Sequence, residues 1–166
     1  MNAYFAGGCF WCMEKPFHLM DGVISATSGY CGGTEENPAY ADVKAQLTGH
    51  RETVRVEYDE RVISFVELLE AFLKNIDPFD DGGQFIDRGR SYTCAVYYAD
   101  ESQRKYTLQR LAEIECRAGR KTAVSVEPYL RFWPAEEYHQ DYARKNPVDY
   151  RKELEESGRH GFQSKV

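Results

Sequence analysis

A chain of 166 residues is long enough to form one domain that buries a proper core. Its 42% hydrophobic and 14% aromatic residues fit a globular fold of enzyme size. The net charge is −6 and no basic run occurs, which argues against nucleic acid as a partner.

The five cysteines are an odd number and do not form the pattern of a secreted disulfide framework. We therefore expect a reducing compartment, the cytoplasm, with free or redox-active thiols. No charged region followed by an apolar stretch marks a signal peptide at the N-terminus. No apolar run approaches the length that spans a membrane, so we expect no membrane association.

The first predicted elements are a short buried strand at residues 4–6 and a helix that starts near Phe10. Met13, Phe17 and Met20 recur at roughly helical spacing and define the apolar face of this helix. Two glycines between the strand and the helix let the backbone turn tightly.

Cys9 lies at or just before the first turn of this helix. There, unpaired N–H groups and the positive end of the helix dipole favour a thiolate, which is a strong nucleophile. Phe10 and Trp11 can form an apolar wall around whatever Cys9 attacks. The pattern therefore predicts a nucleophilic site at the start of the helix.

Three other interpretations of the cysteines stay open at this point. A cysteine beside aromatic residues is often a small core residue. The spacing of Cys9 and Cys12 also fits a dithiol that opens and closes, as in thioredoxin-like proteins. A zinc half-site is the third interpretation, but no second ligand pair with suitable spacing appears.

The elements that follow alternate between strands and helices. Strands are predicted at residues 23–30, 51–59, 91–99 and 122–127, and helices at 64–76, 101–118 and from 132 onward. Loops are predicted at 34–49, with a short helical turn, and at 80–90; residues 146–166 are predicted as an extended C-terminal segment. This order predicts a single α/β or α+β domain over residues 1–166, built as a two-layer sandwich.

The strand at residues 51–59 carries a candidate acid. Val54, Val56 and Tyr58 alternate with polar residues, and the same phase places Glu52 on their inward side. A carboxylate that points inward is costly unless it is neutral, paired or hydrogen-bonded. Either Glu52 lies at the strand end and reaches water or an arginine, or it is desolvated. A desolvated carboxyl has a raised pKa and can donate a proton.

Three further signals concern the middle of the chain. Ser64 and Glu67 form a capping-box signature at the start of the helix at residues 64–76. Tyr92 and Cys94 are two residues apart and are predicted to share one face of a strand. Asp87 lies in a polar, glycine-rich loop and can be a turn former.

Six blocks of residues in a fixed order resemble one family, the peptide methionine sulfoxide reductases of the A type. The resemblance covers roughly residues 5–150 and is closest to the A half of bacterial enzymes that fuse the A and B types. The blocks are Gly7-Gly8-Cys9-Phe10-Trp11, Ser28-Gly29-Tyr30-Cys31-Gly32-Gly33, Asn37-Pro38-Ala39-Tyr40 with Thr48-Gly49-His50-Arg51-Glu52, Asp77-Pro78, Gln84-Phe85-Ile86-Asp87-Arg88-Gly89 and Ala135-Glu136-Glu137-Tyr138-His139-Gln140.

The resemblance implies a fold, a reaction and a set of roles. The fold is a two-layer α/β sandwich with a mixed sheet of plait-like type. The reaction is reduction of methionine S-sulfoxide, free or in peptides and proteins, through a cysteine sulfenic acid. Thioredoxin or a similar thiol reductant is implied as the partner. The resemblance implies that Cys9 is the nucleophile and Glu52 the acid. It implies that Tyr40 and Tyr92 are the phenols that hold the sulfoxide oxygen and that Asp87 is an aspartate of the pocket. Phe10 and Trp11 would form the wall for the substrate methyl.

The chain departs from many relatives in its recycling thiol, because no cysteine follows Cys116. Cys12 is one helical turn from Cys9, which is close enough for a disulfide, and we favour it as the resolving cysteine. Cys94 is an alternative on the predicted face of Tyr92, and Cys31 lies in a glycine-rich turn. Cys116 is expected in the core. An external thiol acting directly on the sulfenic acid is a further route.

Two alternatives to the reductase stay open from sequence. A general thiol–disulfide oxidoreductase would use Cys9 and Cys12 but would not need Glu52 or the two phenols. A module that binds oxidised methionine without turnover would not depend on a thiolate. We expect a monomer without a cofactor or a metal.

Overall fold

The structure, a computed structural model, describes residues 1–159. Its helices are α1 Phe10–His18, α2 Tyr40–Lys44, α3 Phe65–Lys74, α4 Glu101–Ala118, α5 Tyr142–Lys145 and α6 Pro147–Glu156. Its strands are β1 Asn2–Ala6, β2 Val23–Cys31, β3 Arg51–Tyr58, β4 Gly83–Gln84, β5 Asp87–Arg88, β6 Ala95–Tyr98, β7 Ser125–Pro128 and β8 Phe132–Pro134.

Six of these strands form one mixed sheet in the order β7-β6-β1-β3-β2-β8. All neighbours are antiparallel except β6 and β7, which are parallel. The short strands β4 and β5 form a separate hairpin. The helices α1 and α3 pack against the sheet, which confirms the predicted two-layer sandwich with a mixed sheet.

The main core lies between the sheet and its helices. Phe5 of β1 stacks on Phe17 of α1 at 5.4 Å and on Phe72 of α3 at 5.0 Å between ring centroids. Val54 and Val56 of β3 are fully buried beside them. Because β3 alternates inward and outward, the residue two before Val54 faces the same layer, and this places Glu52 beneath α1.

Three helix boundaries follow local rules. Ser64 accepts a hydrogen bond from the backbone N–H of Glu67, whose carboxylate accepts one from the N–H of Ser64, so the predicted capping box is present. The helix α4 ends at Gly119, whose positive φ of 67° suits glycine. The helix α1 begins at Phe10, as predicted.

The predicted strand at residues 91–99 is wrong in its first half. Arg90–Tyr92 is a 3₁₀ turn, and β6 starts only at Ala95. The N–H of Ser91 donates to the side chain of Gln46 at 2.9 Å instead of joining a strand ladder. Tyr92 and Cys94 therefore do not share a strand face.

The predicted helix from residue 132 onward is also wrong at its start. Phe132–Pro134 forms β8, which pairs with the edge of β2, and a proline is tolerated on an edge strand. Glu137–His139 is a 3₁₀ turn, and the first α-helix of this segment begins only at Tyr142. Pairing with β2 gives the backbone of β8 hydrogen-bond partners in the sheet, and this outweighs the local signals that favour a helix.

The C-terminal segment at residues 146–166 is not extended over its first part, because Pro147–Glu156 forms α6. Proline at the first helical position suits a helix start. Tyr150 is the one buried side chain of α6, so the apolar periodicity was too weak to predict this helix. Residues 160–166 of the predicted segment lie outside the described residues. Within residues 1–159, no helix is long and apolar enough to cross a membrane.

Candidate active site

The site is built on the turn between β1 and α1. Gly8 has a φ of 81°, a conformation that suits glycine, and a Cβ there would collide with the side chains of Gln84 and Arg159. Cys9 follows at the position before α1 and is 7% exposed. The two glycines thus bring the chain sharply from the sheet to the helix and leave Cys9 at the turn.

Cys9 and Cys12 form a hydrogen-bonded pair of thiols that packs against Tyr150 of α6. This hydrogen bond, together with burial, raises the pKa of Cys9 well above its usual value. The same bond lowers the pKa of Cys12, and the charge of Arg159 lowers it further. The helix start was expected to favour a thiolate on Cys9. Within the pair it is instead the pKa of Cys12 that is lowered, because Cys12 accepts a hydrogen bond from the thiol of Cys9, which keeps its proton.

Glu52 lies directly beneath the first turn of α1 and is 2% exposed. Its Oε2 accepts a hydrogen bond of 3.0 Å from the backbone N–H of Phe10. Burial raises the pKa of Glu52 to about 8, with a further contribution from the charge of Asp87, while the bond from Phe10 opposes this shift. Glu52 is therefore mostly a neutral acid at pH 7, and it lies on the buried side that the alternation of β3 predicts.

Two phenols and a second carboxyl surround Glu52. Burial raises the pKa of Tyr40 and of Tyr92, and the charge of Glu52 raises both further. Both hydroxyls therefore stay protonated and can donate hydrogen bonds. The pKa of Asp87 is raised by burial, although the nearby charge of Arg159 opposes the shift. These residues come from α2, a 3₁₀ turn and β5, so the fold brings together three segments that are distant in sequence.

An aromatic cluster forms one side of the site. The ring of Phe10 lies 6.2 Å from that of Trp11 and 6.2 Å from that of Tyr40, between centroids. His139 is fully buried in contact with all three rings. Trp11 Nε1 donates to His139 Nδ1 at 3.2 Å, and burial lowers the pKa of His139. A neutral imidazole with an unprotonated Nδ1 thus fixes the indole of Trp11.

Two carboxylates outside the predicted set hold this cluster in place. Glu136 accepts from the backbone N–H of Tyr40 at 2.9 Å and from the hydroxyl of Tyr30 at 2.7 Å. Glu14 of α1 is 2% exposed and accepts from the hydroxyl of Ser28 at 2.8 Å and from the N–H of Asp141 at 2.9 Å. Asp141 starts α5, so Glu14 also fixes the segment that follows it.

That segment places Tyr142 against the indole of Trp11, with ring centroids 3.8 Å apart and planes 8° apart. No role was predicted from sequence for His139, Glu136, Tyr142 or Tyr150. The block Ala135-Glu136-Glu137-Tyr138-His139-Gln140 was the one signal that pointed to the first two. Tyr142 and Tyr150 contact the site only because α5 and α6 fold over α1, which no local pattern indicates.

The other three cysteines lie away from this pair. Cys31 ends β2 and is buried in a smaller cluster with Tyr97, and its thiol donates to the carbonyl of Arg131 at 3.0 Å. Cys94 is buried in the main core, where its pKa is raised to about 12 by burial. Cys116 is exposed, so its expected core position is wrong. Within residues 1–159, no group of three or more His, Cys, Asp or Glu side chains could hold a metal ion.

Similarity to known proteins accounts for the whole chain. The family model described as peptide methionine sulfoxide reductase matches residues 1–166. Peptide methionine sulfoxide reductase MsrA 2 of Staphylococcus aureus (strain MW2) is 45% identical over 162 residues, which cover 96% of this chain and 92% of that protein. The MsrA of Bacillus licheniformis is 45% identical over 167 residues, covering 96% and 90%.

Solved structures agree with these sequence relatives. Reduced Mxr1 from Saccharomyces cerevisiae has a TM-score of 0.83 at 30% identity and covers 89% of this chain and 86% of its own. Methionine sulfoxide reductase A of Corynebacterium diphtheriae has a TM-score of 0.80 at 28% identity, covering 89% and 75%. The full-length family match and the shared fold lead to one assignment. This chain is a member of the peptide methionine sulfoxide reductase family, of the A type.

Proposed function

We propose that this protein reduces methionine S-sulfoxide, free or in peptides and proteins, to methionine. The observation that carries the proposal is the buried carboxyl of Glu52, which accepts a hydrogen bond from the N–H of the residue after Cys9 and has two buried phenols beside it. Burial raises the pKa of all three groups and so keeps them protonated. A sulfoxide sulfur is a poor electrophile until its oxygen is protonated. A buried neutral acid next to a thiol is therefore what this reduction requires.

In the first step, Glu52 gives its proton to the sulfoxide oxygen while Tyr40 and Tyr92 donate hydrogen bonds to it. Each donor contributes about 3 kcal/mol if it behaves like an oxyanion-hole donor. The sulfur of Cys9 attacks the activated sulfoxide sulfur, and the proton of Cys9 passes to Cys12 along their hydrogen bond. The hydroxyl then passes from the substrate sulfur to the sulfur of Cys9 as the bond between the two sulfur atoms breaks. The substrate sulfur leaves reduced as methionine, and Cys9 is oxidised to a sulfenic acid.

The surrounding residues bind and orient the substrate. Phe10 and Trp11 offer an apolar surface for the substrate methyl, and the bond from Trp11 to His139 fixes the indole. The charge of Asp87 raises the pKa of Glu52, which helps to keep that acid protonated. The aspartate thus supports the reaction through the acid as well as through the shape of the pocket.

Cys12 is the resolving cysteine in this proposal. Its hydrogen bond to Cys9 means that the two sulfur atoms are already adjacent in the reduced protein. Cys31 and Cys94 are buried in other clusters, so neither is poised as a competitor. Thioredoxin or a similar dithiol would then reduce the Cys9–Cys12 disulfide and return both thiols. The five free cysteines of the structure support a reducing compartment, the cytoplasm, and we propose a monomer there.

A general thiol–disulfide oxidoreductase is the less favoured alternative. Disulfide exchange needs a thiolate but does not need a protonated acid. Glu52, Tyr40 and Tyr92 would therefore have no role in that reaction. The structure of the site therefore argues for the sulfoxide reaction.

The deciding experiment measures consumption of methionine S-sulfoxide and of methionine R-sulfoxide by the purified protein with dithiothreitol. We expect the S epimer to be consumed and the R epimer to remain. Turnover of protein disulfides with neither epimer consumed would overturn the proposal in favour of the oxidoreductase. Tight binding of the S epimer without turnover would instead support a binding module.

A further inference from the structure

Arg159 is a buried cation that reaches the active-site turn from the far end of the described chain. It follows α6 after Gly158, whose φ of 77° redirects the backbone. The residue is 8% exposed, and its Nη2 donates to the carbonyl of Gly7 at 2.7 Å. Its Nη1 donates to the carbonyl of Asn75 at 3.0 Å. The guanidinium therefore joins α6 to the turn that carries Cys9.

The charge of this guanidinium has no carboxylate partner in the described part of the chain. Its other contacts are the sulfur of Met13 at 3.8 Å and the ring of Phe85 at 4.6 Å, and its Nε is buried without a hydrogen-bond partner. A buried charge is costly unless an opposite charge lies near it. The charge of Arg159 acts to lower the pKa of four nearby groups that can become negative, which are Cys12, Asp87, Cys94 and Tyr150. Of these, Cys12 is the one whose pKa ends below its ordinary value.

We propose that Arg159, held against the carbonyl of Gly7 and the sulfur of Met13, is a positioning residue for recycling, and that its positive charge stabilises the negative sulfur of Cys12 as Cys12 attacks oxidised Cys9. This proposal rests on the recycling role of Cys12 in the proposed function. The effect acts through charge, because no atom of Arg159 has to touch the reacting sulfur atoms. The C-terminal end of the chain would in this way control the reactivity of a thiol in α1.

The step that Arg159 would assist is formation of the disulfide between Cys12 and oxidised Cys9. The thiolate sulfur of Cys12 attacks the sulfenic sulfur of Cys9, an S–S bond forms and the S–O bond breaks. Hydroxide leaves and takes up the proton that Cys12 received from Cys9 in the first step, so Cys12 reacts as a thiolate and water is released. The sulfur of Cys9 is reduced and that of Cys12 is oxidised, so no further oxidant is needed.

Other charged and titratable groups also face Cys12, and they act in different directions. The Cys9 hydrogen bond favours the Cys12 thiolate, whereas burial and the charges of Asp87 and Glu153 oppose it. Within this set Arg159 is the cation that favours the thiolate. The groups that interact with Cys12 are Cys9, Glu52, Asp87, Tyr150, Glu153 and Arg159.

The test compares Arg159→Gln, Arg159→Met and Arg159→Lys with the parent protein. Gln keeps one donor without charge, Met keeps bulk alone, and Lys keeps the charge. All carry Cys116→Ser, because Cys116 is exposed and would titrate in the same range. The first readout is the pH midpoint of the thiolate absorbance of the reduced protein. The second is the rate of Cys9–Cys12 disulfide formation after rapid mixing with methionine S-sulfoxide, followed by thiol alkylation and mass spectrometry.

We expect the uncharged variants to raise the thiolate midpoint by about one pH unit and to slow disulfide formation about tenfold at neutral pH. Arg159→Lys should stay close to the parent in both readouts. Arg110→Gln serves as the matched control, because Arg110 is also a poorly exposed guanidinium with a buried nitrogen that makes no hydrogen bond, but it forms ion pairs with Glu70 on α3 and with Glu113. It should change neither readout.

An unchanged midpoint in Arg159→Gln, or equal changes in the Gln and Lys variants, would overturn the proposal. Loss of the fold in both uncharged variants, with Lys still folded, would also overturn it by assigning Arg159 a structural role. Failure of the recycling role of Cys12 would give a different result. The parent protein would then form no Cys9–Cys12 disulfide, while the thiolate midpoint would still report whether Arg159 acts on Cys12.

Discussion

At the scale of single residues, the site contains two groups whose pKa values are raised, so that both hold their protons at neutral pH. Cys9 keeps its proton because it donates to Cys12, and Glu52 keeps its proton because it is buried. The inward phase of Val54 and Val56 predicted the side of the strand on which Glu52 lies, but left open whether its carboxyl reaches water at the strand end; the structure buries it. The hydrogen bond between the thiols was not predictable in direction, because it depends on Arg159 and α6 as well as on the helix start.

Cys9→Ser should abolish reduction of methionine S-sulfoxide, because a hydroxyl cannot attack the sulfur and become a sulfenic acid. The small change should leave the fold intact. The measurement is single-turnover release of methionine, with circular dichroism to check the fold. Appreciable methionine release by a folded Cys9→Ser protein would contradict the role of nucleophile.

Glu52→Gln should slow the chemical step roughly 10²–10⁴-fold, the usual range for loss of a general acid. In the parent protein the step should also weaken as pH rises through about 8, because Glu52 then loses the proton that it must donate. The variant has no such proton to lose, so its residual rate should lack this decline. Single-turnover rates across the pH range measure both effects. A loss of only a few-fold at every pH would make Glu52 a structural residue.

At the scale of elements, the features that depend on residues close together in the sequence were predicted correctly. The glycine turn, the start of α1, the alternation of β3, the capping box of α3 and the glycine stop of α4 were all predictable from sequence. The C-terminal elements were not. Phe132–Pro134 becomes a strand because β2 offers an unpaired edge, and α6 forms over α1 with Tyr150 as its one buried side chain.

The spacing of Cys9 and Cys12 within one turn of α1 leads to a prediction about recycling. In Cys12→Ser the first turnover should still release about one methionine per enzyme, whereas cycling with thioredoxin should fail for lack of a resolving thiol. Disulfide mapping of the parent protein after excess substrate should find a Cys9–Cys12 link. A link from Cys9 to Cys31 or Cys94, or normal cycling of the variant with thioredoxin, would contradict the assignment.

At the scale of the whole molecule, the site depends on segments that are distant in sequence, and it buries the carboxyl of Glu52. The blocks of the family motif place Cys9, Glu52, Tyr40, Tyr92 and Asp87 together through the fold, and the motif order predicted the set. The supporting residues on β8, α5 and α6 could not be predicted, because they depend on how distant segments pack. Burying a carboxyl for chemistry should then be visible in the stability of the protein.

The burial of Glu52 should make the free energy of unfolding fall with pH. Its pKa is raised from 4.5 to about 8 in the folded protein, so between these values the unfolded chain is ionised while the folded protein holds an extra proton. The contribution is fully present below pH 4.5 and is lost as pH rises to about 8. The slope is about −1.4 kcal/mol per pH unit, and the total is roughly 5 kcal/mol.

Glu52→Gln is the variant that isolates this effect, since an amide oxygen can still accept the bond from Phe10 but does not titrate. The difference in unfolding free energy between the variant and the parent protein, measured by urea denaturation from pH 5 to pH 8, should grow in favour of the variant as pH rises. Taking the difference removes the carboxylates that both proteins share, such as Asp59 and Glu67, whose lowered pKa values act in the opposite sense. A difference that stays constant over this range would mean that Glu52 has an ordinary pKa in the folded protein. It would then be ionised at pH 7, and protonation of the sulfoxide would have to come from Tyr40 or Tyr92.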